Sequence, residues 1–443
     1  MSLAGKPGRQ EPHSGWIPSG WQTCKLGDLV TKIGSGVTPK GGSESYIASG
    51  VPLIRSQNVL WGKLNLSDVA YISADQHRRM ANSALQPQDV LLNITGASIG
   101  RCAVLPEDFD EGNVNQHVCI IRTTDSLKPS FLSQYLNSHL GQEQIVKLQA
   151  GGNREGLNFQ QIRGFSVALP PLSEQQKISA ILTAVDDKLE VIGRQIEVTQ
   201  TLKLGLMQTL FSRGVGTQDA TGRWVPRTEF KDSVLGEIPA EWQVVQIQAV
   251  SEVIRGASPR PQGDPRYYGG DVPRLMGADV TRDGKWVVPK IDFLTEEGAK
   301  RSRPCPKGTL TIICSGDVGV PSFLAVDACI HDGFLALINI DESLANKDYL
   351  YHIIYSVKQR FYTSATHGGV FTNLTTGILK EFLVPLPALV EQQKIATILD
   401  VADEKISGAL RKREYYQSLK RGLMQKLLTG EWRVEVDNPT CAV

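Results

Sequence analysis

The chain has 443 residues, 41% of them hydrophobic and 21% charged, with a formal net charge of +1. That composition suits a globular protein of two or three domains, and no apolar run is long enough to span a bilayer. The seven cysteines (24, 102, 119, 305, 314, 329, 441) form no C-x-x-C pair. This argues against a disulfide framework or structural zinc and points to a reducing, cytoplasmic setting without a membrane partner.

Residues 1–14 are a polar, Gly/Pro-containing lead, expected to be flexible. A first domain is expected over 15–172, opening on Ile17-Pro18-Ser19-Gly20-Trp21 and carrying the turn sequence Gly36-Val37-Thr38-Pro39. Val118-Cys119-Ile120-Ile121 reads as a strand, and Ser130 to Leu148 as helical. After a linker at 212–235, residues 236–389 repeat the plan. Ile238-Pro239-Ala240-Glu241-Trp242 opens the second domain, Gly256-Ala257-Ser258-Pro259 is its turn, and Phe334 to Ile338 a strand. LLNITGASIG from Leu91 is echoed by LTIICSGDVG from Leu310. Trp21 and Trp242 are read as core anchors.

Two segments repeat nearly word for word. Ser173–Phe211 and Val390–Leu428 agree at 19 of 39 positions without a gap, sharing E-Q-Q-K-I and G-L-M-Q blocks 217 positions apart. Ser173 with Gln176 reads as a capping box. Ile178, Leu182, Val185, Leu189, Ile192 and Ile196 then follow at alternating steps of three and four, which is coiled-coil spacing. Long helices are expected over 173–211 and 390–430, with a tail at 431–443. Each would extend roughly 60 Å. Each apolar stripe needs cover, and the simplest cover is the other helix, antiparallel, as a strut between the domains. The expected class is α+β, with two globular mixed α/β domains, two long antiparallel coiled-coil helices and an internal pseudo-two-fold repeat.

The motifs I-P-x-x-W, Gly-x-(Thr/Ser)-Pro, P-L-x-E-Q-Q-K-I and G-L-M-Q-x-L, each given twice, resemble the DNA-specificity subunit of type I restriction–modification systems. The resemblance spans about 15–432. It implies two target-recognition domains, each reading half of an interrupted, asymmetric site on double-stranded DNA. It also implies that the helices dock two methyltransferase subunits, that motor-nuclease subunits can join, and that the specificity subunit performs no chemistry.

The residues themselves agree that chemistry is missing. No P-loop, complete dinucleotide loop, adenine-methyltransferase motif or His/Cys metal spacing occurs, so no catalytic residue, cofactor or metal is assigned. Asp186-Asp187-Lys188 and Asp403-Glu404-Lys405 imitate a nuclease triplet but fall inside the long helices, where a solvated or docking face is expected.

DNA contact needs amide, hydroxyl and basic side chains on loops. In the first domain these are Arg55, Ser56, Gln57, Asn58, Thr95, Ser98, Asn113, Asn115, Gln116, His117, Asn153 and Arg154. In the second they are Arg260, Arg266, Tyr267, Arg274, Lys285, Ser315, Asp317, His331, His367 and Asn373. Charge does not favour DNA, since residues 1–172 carry 15 basic against 13 acidic groups and 236–389 carry 15 against 17. The alternative is a coiled-coil interaction scaffold whose globular domains bind protein or another ligand.

Overall fold

The computed structural model describes residues 17–39, 41–149, 156–358, 366–368 and 371–435. The expected 1–14 lead and the candidates Asn153 and Arg154 lie outside these residues. Two compact units result: one takes the chain up to Arg194 and again from Leu410, the other is Gln195–Ala409. The first long helix, Leu172–Arg213, and the second, Leu389–Leu428, therefore each contribute to both units.

In the first unit an antiparallel sheet orders Val30–Ser35, Val118–Thr123, Val90–Asn93 and Cys102–Val104. A three-stranded sheet places Val51–Ile54 between Ala70–Ile72 and Asn113–Val114, the last parallel to it. Gln22–Lys25 pairs with Ser166–Leu169, tying the start of the domain to the residues just before the first long helix. The helical stretch is two helices, Pro129–Asn137 and His139–Gln149, not one.

The second unit repeats this frame. Glu252–Arg255, Phe334–Ile338, Leu310–Ile313, Pro321–Leu324 and Trp286–Val287 form one sheet. Asp292–Leu294, Tyr268–Leu275, Ala328–Ile330 and Arg303–Cys305 form another, in which Leu275 pairs in parallel with Ile330 as Ile54 does with Val114. Gln243–Gln246 pairs with Leu383–Leu386. The expected linker is ordered: Thr217–Gln218 pairs with Trp224–Val225, and Phe230–Ser233 with Gly236–Pro239.

The apolar stripes of the helices are covered inside each unit. In the first, Ile178 and Leu182 join Leu427 and Leu428 in one core, while Asp186 meets Lys420 at 2.6 Å, so the two segments run antiparallel. In the second, Met207 and Leu210 join Ile395 and Leu399, and Lys203 meets Asp403 at 2.5 Å. These ion pairs join equivalent positions of the repeat. The first helix begins at Leu172, directly after Pro170-Pro171, so Ser173 lies inside it and is not its cap.

The repeated Glu-Gln explains itself here. Glu174 is buried and accepts from Trp21 Nε1 (3.2 Å) and from Arg433 Nε and Nη2 (2.9 and 2.5 Å). Glu391 accepts from Trp242 Nε1 (3.0 Å), Val215 N (3.1 Å) and both Arg227 terminal nitrogens (3.0 and 2.9 Å). Gln175 accepts from Lys128 N (2.8 Å) and donates to the Ser126 and Pro170 carbonyls (3.0 and 2.9 Å). Gln392 does the same with Asn346 N, Leu344 O and Pro387 O (2.7, 2.8 and 2.8 Å). A buried carboxylate and amide are tolerable because each is saturated with partners. The buried tryptophans thus serve as core anchors, with their N–H groups spent on this clamp.

Candidate nucleic-acid interface

Four loops meet at one place in each unit; two of the backbone bonds that join them are equivalent in the repeat, and the bond from the Gly-containing turn is shifted by one residue. In the first, Gly36 N–H donates to Asn115 O (3.1 Å), Ile94 N–H to His117 O (3.0 Å) and Leu157 N–H to Ile94 O (2.9 Å). In the second, Ala257 N–H donates to Ile330 O (3.1 Å), Cys314 N–H to Gly333 O (2.9 Å) and Leu374 N–H to Cys314 O (2.8 Å). The glycine of each Gly-x-(Thr/Ser)-Pro turn is required by this closeness: a Cβ would run into the Val114 carbonyl at Gly36 and into the His331 carbonyl at Gly256.

The side chains on this shared frame differ. In the first unit Thr38 Oγ1 donates to Gln116 Oε1, Gln116 Nε2 meets His117 Nε2 at 3.1 Å, and His117 Nδ1 meets Thr95 Oγ1 at 2.6 Å. In the second, Ser258 Oγ donates to Asp332 Oδ1 at 2.5 Å, and exposed Arg260 stands 3.6 Å from Oδ2. The Ser258 hydroxyl, the largest influence, holds the Asp332 carboxyl below its ordinary range. Gly333 N–H donates to His331 Nδ1 at 2.9 Å, and burial, followed by the nearby Arg274, lowers the His331 pKa. Asp332 was absent from the sequence candidates, and Thr38 and Ser258 were read only as turn residues; their register with the loop after the parallel strand was the missing signal.

Several candidates are turned inward. Asn58 is buried, accepting from Arg55 N (2.9 Å) and donating to the Asn65 and Asp68 carbonyls. Asn113 is buried, donating to Met80 O and Ser83 Oγ. Asn115 is buried too, accepting from His117 N (3.0 Å). Tyr267 is buried under Arg266 and Arg301, and Arg274 is buried on Asp292 at 3.0 Å. These side chains shape the loops from below.

Lys285 faces the second long helix, bonded to Asp348 (2.8 Å) and Asp400. Arg55 stacks on Tyr46 at 5.6 Å, and Ser56 accepts Asn93 Nδ2 through its carbonyl (2.8 Å). Exposed Gln57 donates to Asp68, exposed Arg266 pairs with Asp264, and exposed Asp317 pairs with Lys358. Ser98 and Ser315 lie half-buried in the equivalent Gly-rich turns. His367 and Asn373 sit in the paired strands Thr366–Gly368 and Phe371–Asn373, their side chains outside what is described.

One cluster invites a metal reading. His352, Asp400 and Asp403 lie close enough to share a cation. Lys285 and Lys203 already occupy the two carboxylates, and His352 Nε2 bonds Asp400 at 2.8 Å, so the negative charge is largely met from within. The nuclease-like triplets are likewise engaged in helix pairing through Asp186 and Asp403. Among the described residues no helix is long and apolar enough to cross a membrane.

A duplicated domain frame carried on repeated long helices, with differing side chains at its loop cluster, defines a two-part recognition protein. The profile described as "Type I restriction modification DNA specificity domain" matches residues 18–200 and 239–414. The chain belongs to that family. A protein of Methanocaldococcus jannaschii, by name a type I restriction enzyme specificity subunit (MjaX), is 27% identical over 95% of this chain and 96% of its own length. The MjaVIII specificity subunit of the same organism is 22% identical, covering 96% of each chain. A solved type I S subunit from M. genitalium shares the fold with a TM-score of 0.59 at 15% identity, over 94% of this chain and 98% of that one. A chain from a structure of the type I R-M system gives 0.53 at 18% identity, over 94% and 100%.

Proposed function

We propose that the chain is the non-catalytic DNA-recognition subunit of a type I restriction–modification assembly, with one half of a bipartite double-stranded target read by each loop cluster. The observation that carries this is the pair of clusters: one backbone frame, joined by two equivalent backbone bonds in each unit, presents Thr38, Gln116 and His117 in one unit and Ser258, Asp332 and His331 in the other. Equal frames with unequal side chains suit an asymmetric target. Base edges are read by amide, carboxylate, imidazole and guanidinium groups, and phosphates by basic ones. Gln116, His117, Thr95, Ser98, Arg260, Ser315 and His331 remain the proposed contacts, joined by Thr38, Ser258 and Asp332.

The long helices would dock two copies of one methyltransferase subunit. Support comes from the exposed part of the repeat: Gln176 and Lys177 recur as Gln393 and Lys394, and Gly205 and Gln208 as Gly422 and Gln425, all exposed. Val198 and Leu202 are 66% and 57% exposed on the first helix, and Tyr415, the repeat partner of Val198, is 64% exposed. Exposed apolar groups on a helix repeated in this way fit a bound protein.

The test is a gel shift of the complex purified through this chain, against its own target and against duplexes with base pairs inserted between the half-sites. Binding should fall by orders of magnitude on insertion. Equal binding to all spacings, or to random duplex, refutes the reading.

A further inference from the structure

Position 116 of the first unit and position 332 of the second occupy the same point of the frame. Each lies two residues past a strand that pairs in parallel with the Val-Pro strand, and two residues before a strand of the neighbouring sheet. Each side chain accepts a hydroxyl proton from the third residue of the Gly-x-(Thr/Ser)-Pro turn. Their remaining hydrogen-bonding capacity differs. Gln116 is exposed; with Oε1 engaged by Thr38 and Nε2 by His117, it keeps one N–H and one lone pair for a ligand. Asp332, half-exposed, keeps Oδ2, which can only accept.

Resting on the proposed DNA-recognition function, we infer that residues 116 and 332 are equivalent base-reading positions, Gln116 selecting adenine and Asp332 selecting cytosine. Adenine offers the N6 amine beside the N7 acceptor in the major groove, matching a paired acceptor and N–H donor. Cytosine offers the N4 amine alone, matching a bare carboxylate oxygen, whereas an adenine N7 would face that oxygen with no proton between them. A carboxylate next to phosphates needs a nearby cation, and Arg260 supplies one, its side chain 68% exposed. Thr38 and Ser258 are positioning residues that fix which lone pair points outward.

Selection from a randomised duplex pool by the purified complex, followed by sequencing, tests this. Wild type should return a two-part consensus; failure to return any overturns the recognition reading itself. Asp332→Asn should convert one C·G position toward A·T, and Gln116→Glu should convert one A·T position toward C·G in the other half. Discrimination at each should change by about tenfold or more. Ser258→Ala should relax the Asp332 position without moving the register, and Ser258→Thr, the hydroxyl the first unit uses, should keep it. An unchanged consensus from Asp332→Asn and Gln116→Glu complexes that still bind the two-part target overturns the inference. So would both substitutions altering the same half.

Discussion

Replacing Arg227 with methionine isolates the clamp that seats the second domain on its helix. Arg227 and Glu391 are 7% and 6% exposed, and the guanidinium supplies two of the four hydrogen bonds on the carboxylate. Without it the buried Glu391 carboxylate is left, among the described residues, with Trp242 Nε1 and Val215 N–H. Stripping one partner from a buried pair costs about 3–5 kcal/mol, most of it the stranded charge. Adding Glu391→Gln should recover part of that loss, because a neutral amide strands no charge and its one carbonyl oxygen still accepts from one of the two N–H groups. Arg433 on Glu174 is the internal control: at 43% exposed it is partly hydrated already, and its loss should cost about 1–2 kcal/mol. Native-state hydrogen exchange over residues 227–246 reads the local opening energy without assuming two-state unfolding. Exchange there should quicken by about a hundredfold or more in Arg227→Met, at roughly tenfold per 1.4 kcal/mol. An acceleration below about tenfold, or a double variant worse than the single, would refute the reasoning.

Gln175→Ala removes one acceptor and two donated bonds, stranding the partly enclosed Lys128 N–H and Ser126 carbonyl; a loss of about 2–3 kcal/mol is expected in urea unfolding. Gly205→Ala and Gly422→Ala meet open space in the described chain, so each should stabilise its isolated helix by about 0.5–1 kcal/mol in thermal unfolding, yet weaken pull-down of the methyltransferase subunit. Burial pushes the Cys102 and Cys119 thiols up to about 12, so alkylation at about pH 8 should spare both until urea is added, while half-buried Cys24 reacts. Asp332 has a depressed folded pKa, so its contribution is present above the ordinary carboxylate value of about 3.9 and is lost only as pH falls through the lower folded value. The base preference assigned to it should therefore hold from about pH 8 to 5, as read by repeating the selection at both.

The helices and the repeat could be read from the chain because they rest on local rules, namely apolar spacing, prolines ahead of each start and duplicated motifs. Strands such as Val118–Thr123 and Phe334–Ile338 were equally plain as short apolar runs. Side-chain direction was not. Asn58, Asn113 and Asn115 look like surface recognition groups in sequence, but each satisfies backbone or side-chain groups inside a loop. Arg274 carries a charge that suggested DNA, and a facing aspartate 18 residues later, Asp292, takes it up. No local motif in the sequence singles out Asp332. Only the strand pairing that aligns it with Gln116 gives it a role. Linker residues 212–235 read as a loop because their strands are two to four residues long, too short for any periodicity to register.

The identities between the two helices divide into groups the fold explains and groups it does not. Glu, the first Gln and Ile of E-Q-Q-K-I are buried in both copies; the Glu and Gln have partners that substitution would strand, and the Ile packs in the core. Folding alone therefore accounts for those three. The second Gln is exposed in both copies, as are the Gly and Gln of G-L-M-Q. A glycine in an exposed helix interior is a net cost relative to alanine, about 0.5–1 kcal/mol, so nothing among the described residues recommends it once, still less at the same register twice. A Cβ there would meet nothing at all within 4 Å. What it would obstruct is a surface brought close from outside, and the same open space at Gly205 and Gly422 suits the proposed docking of two copies of one partner.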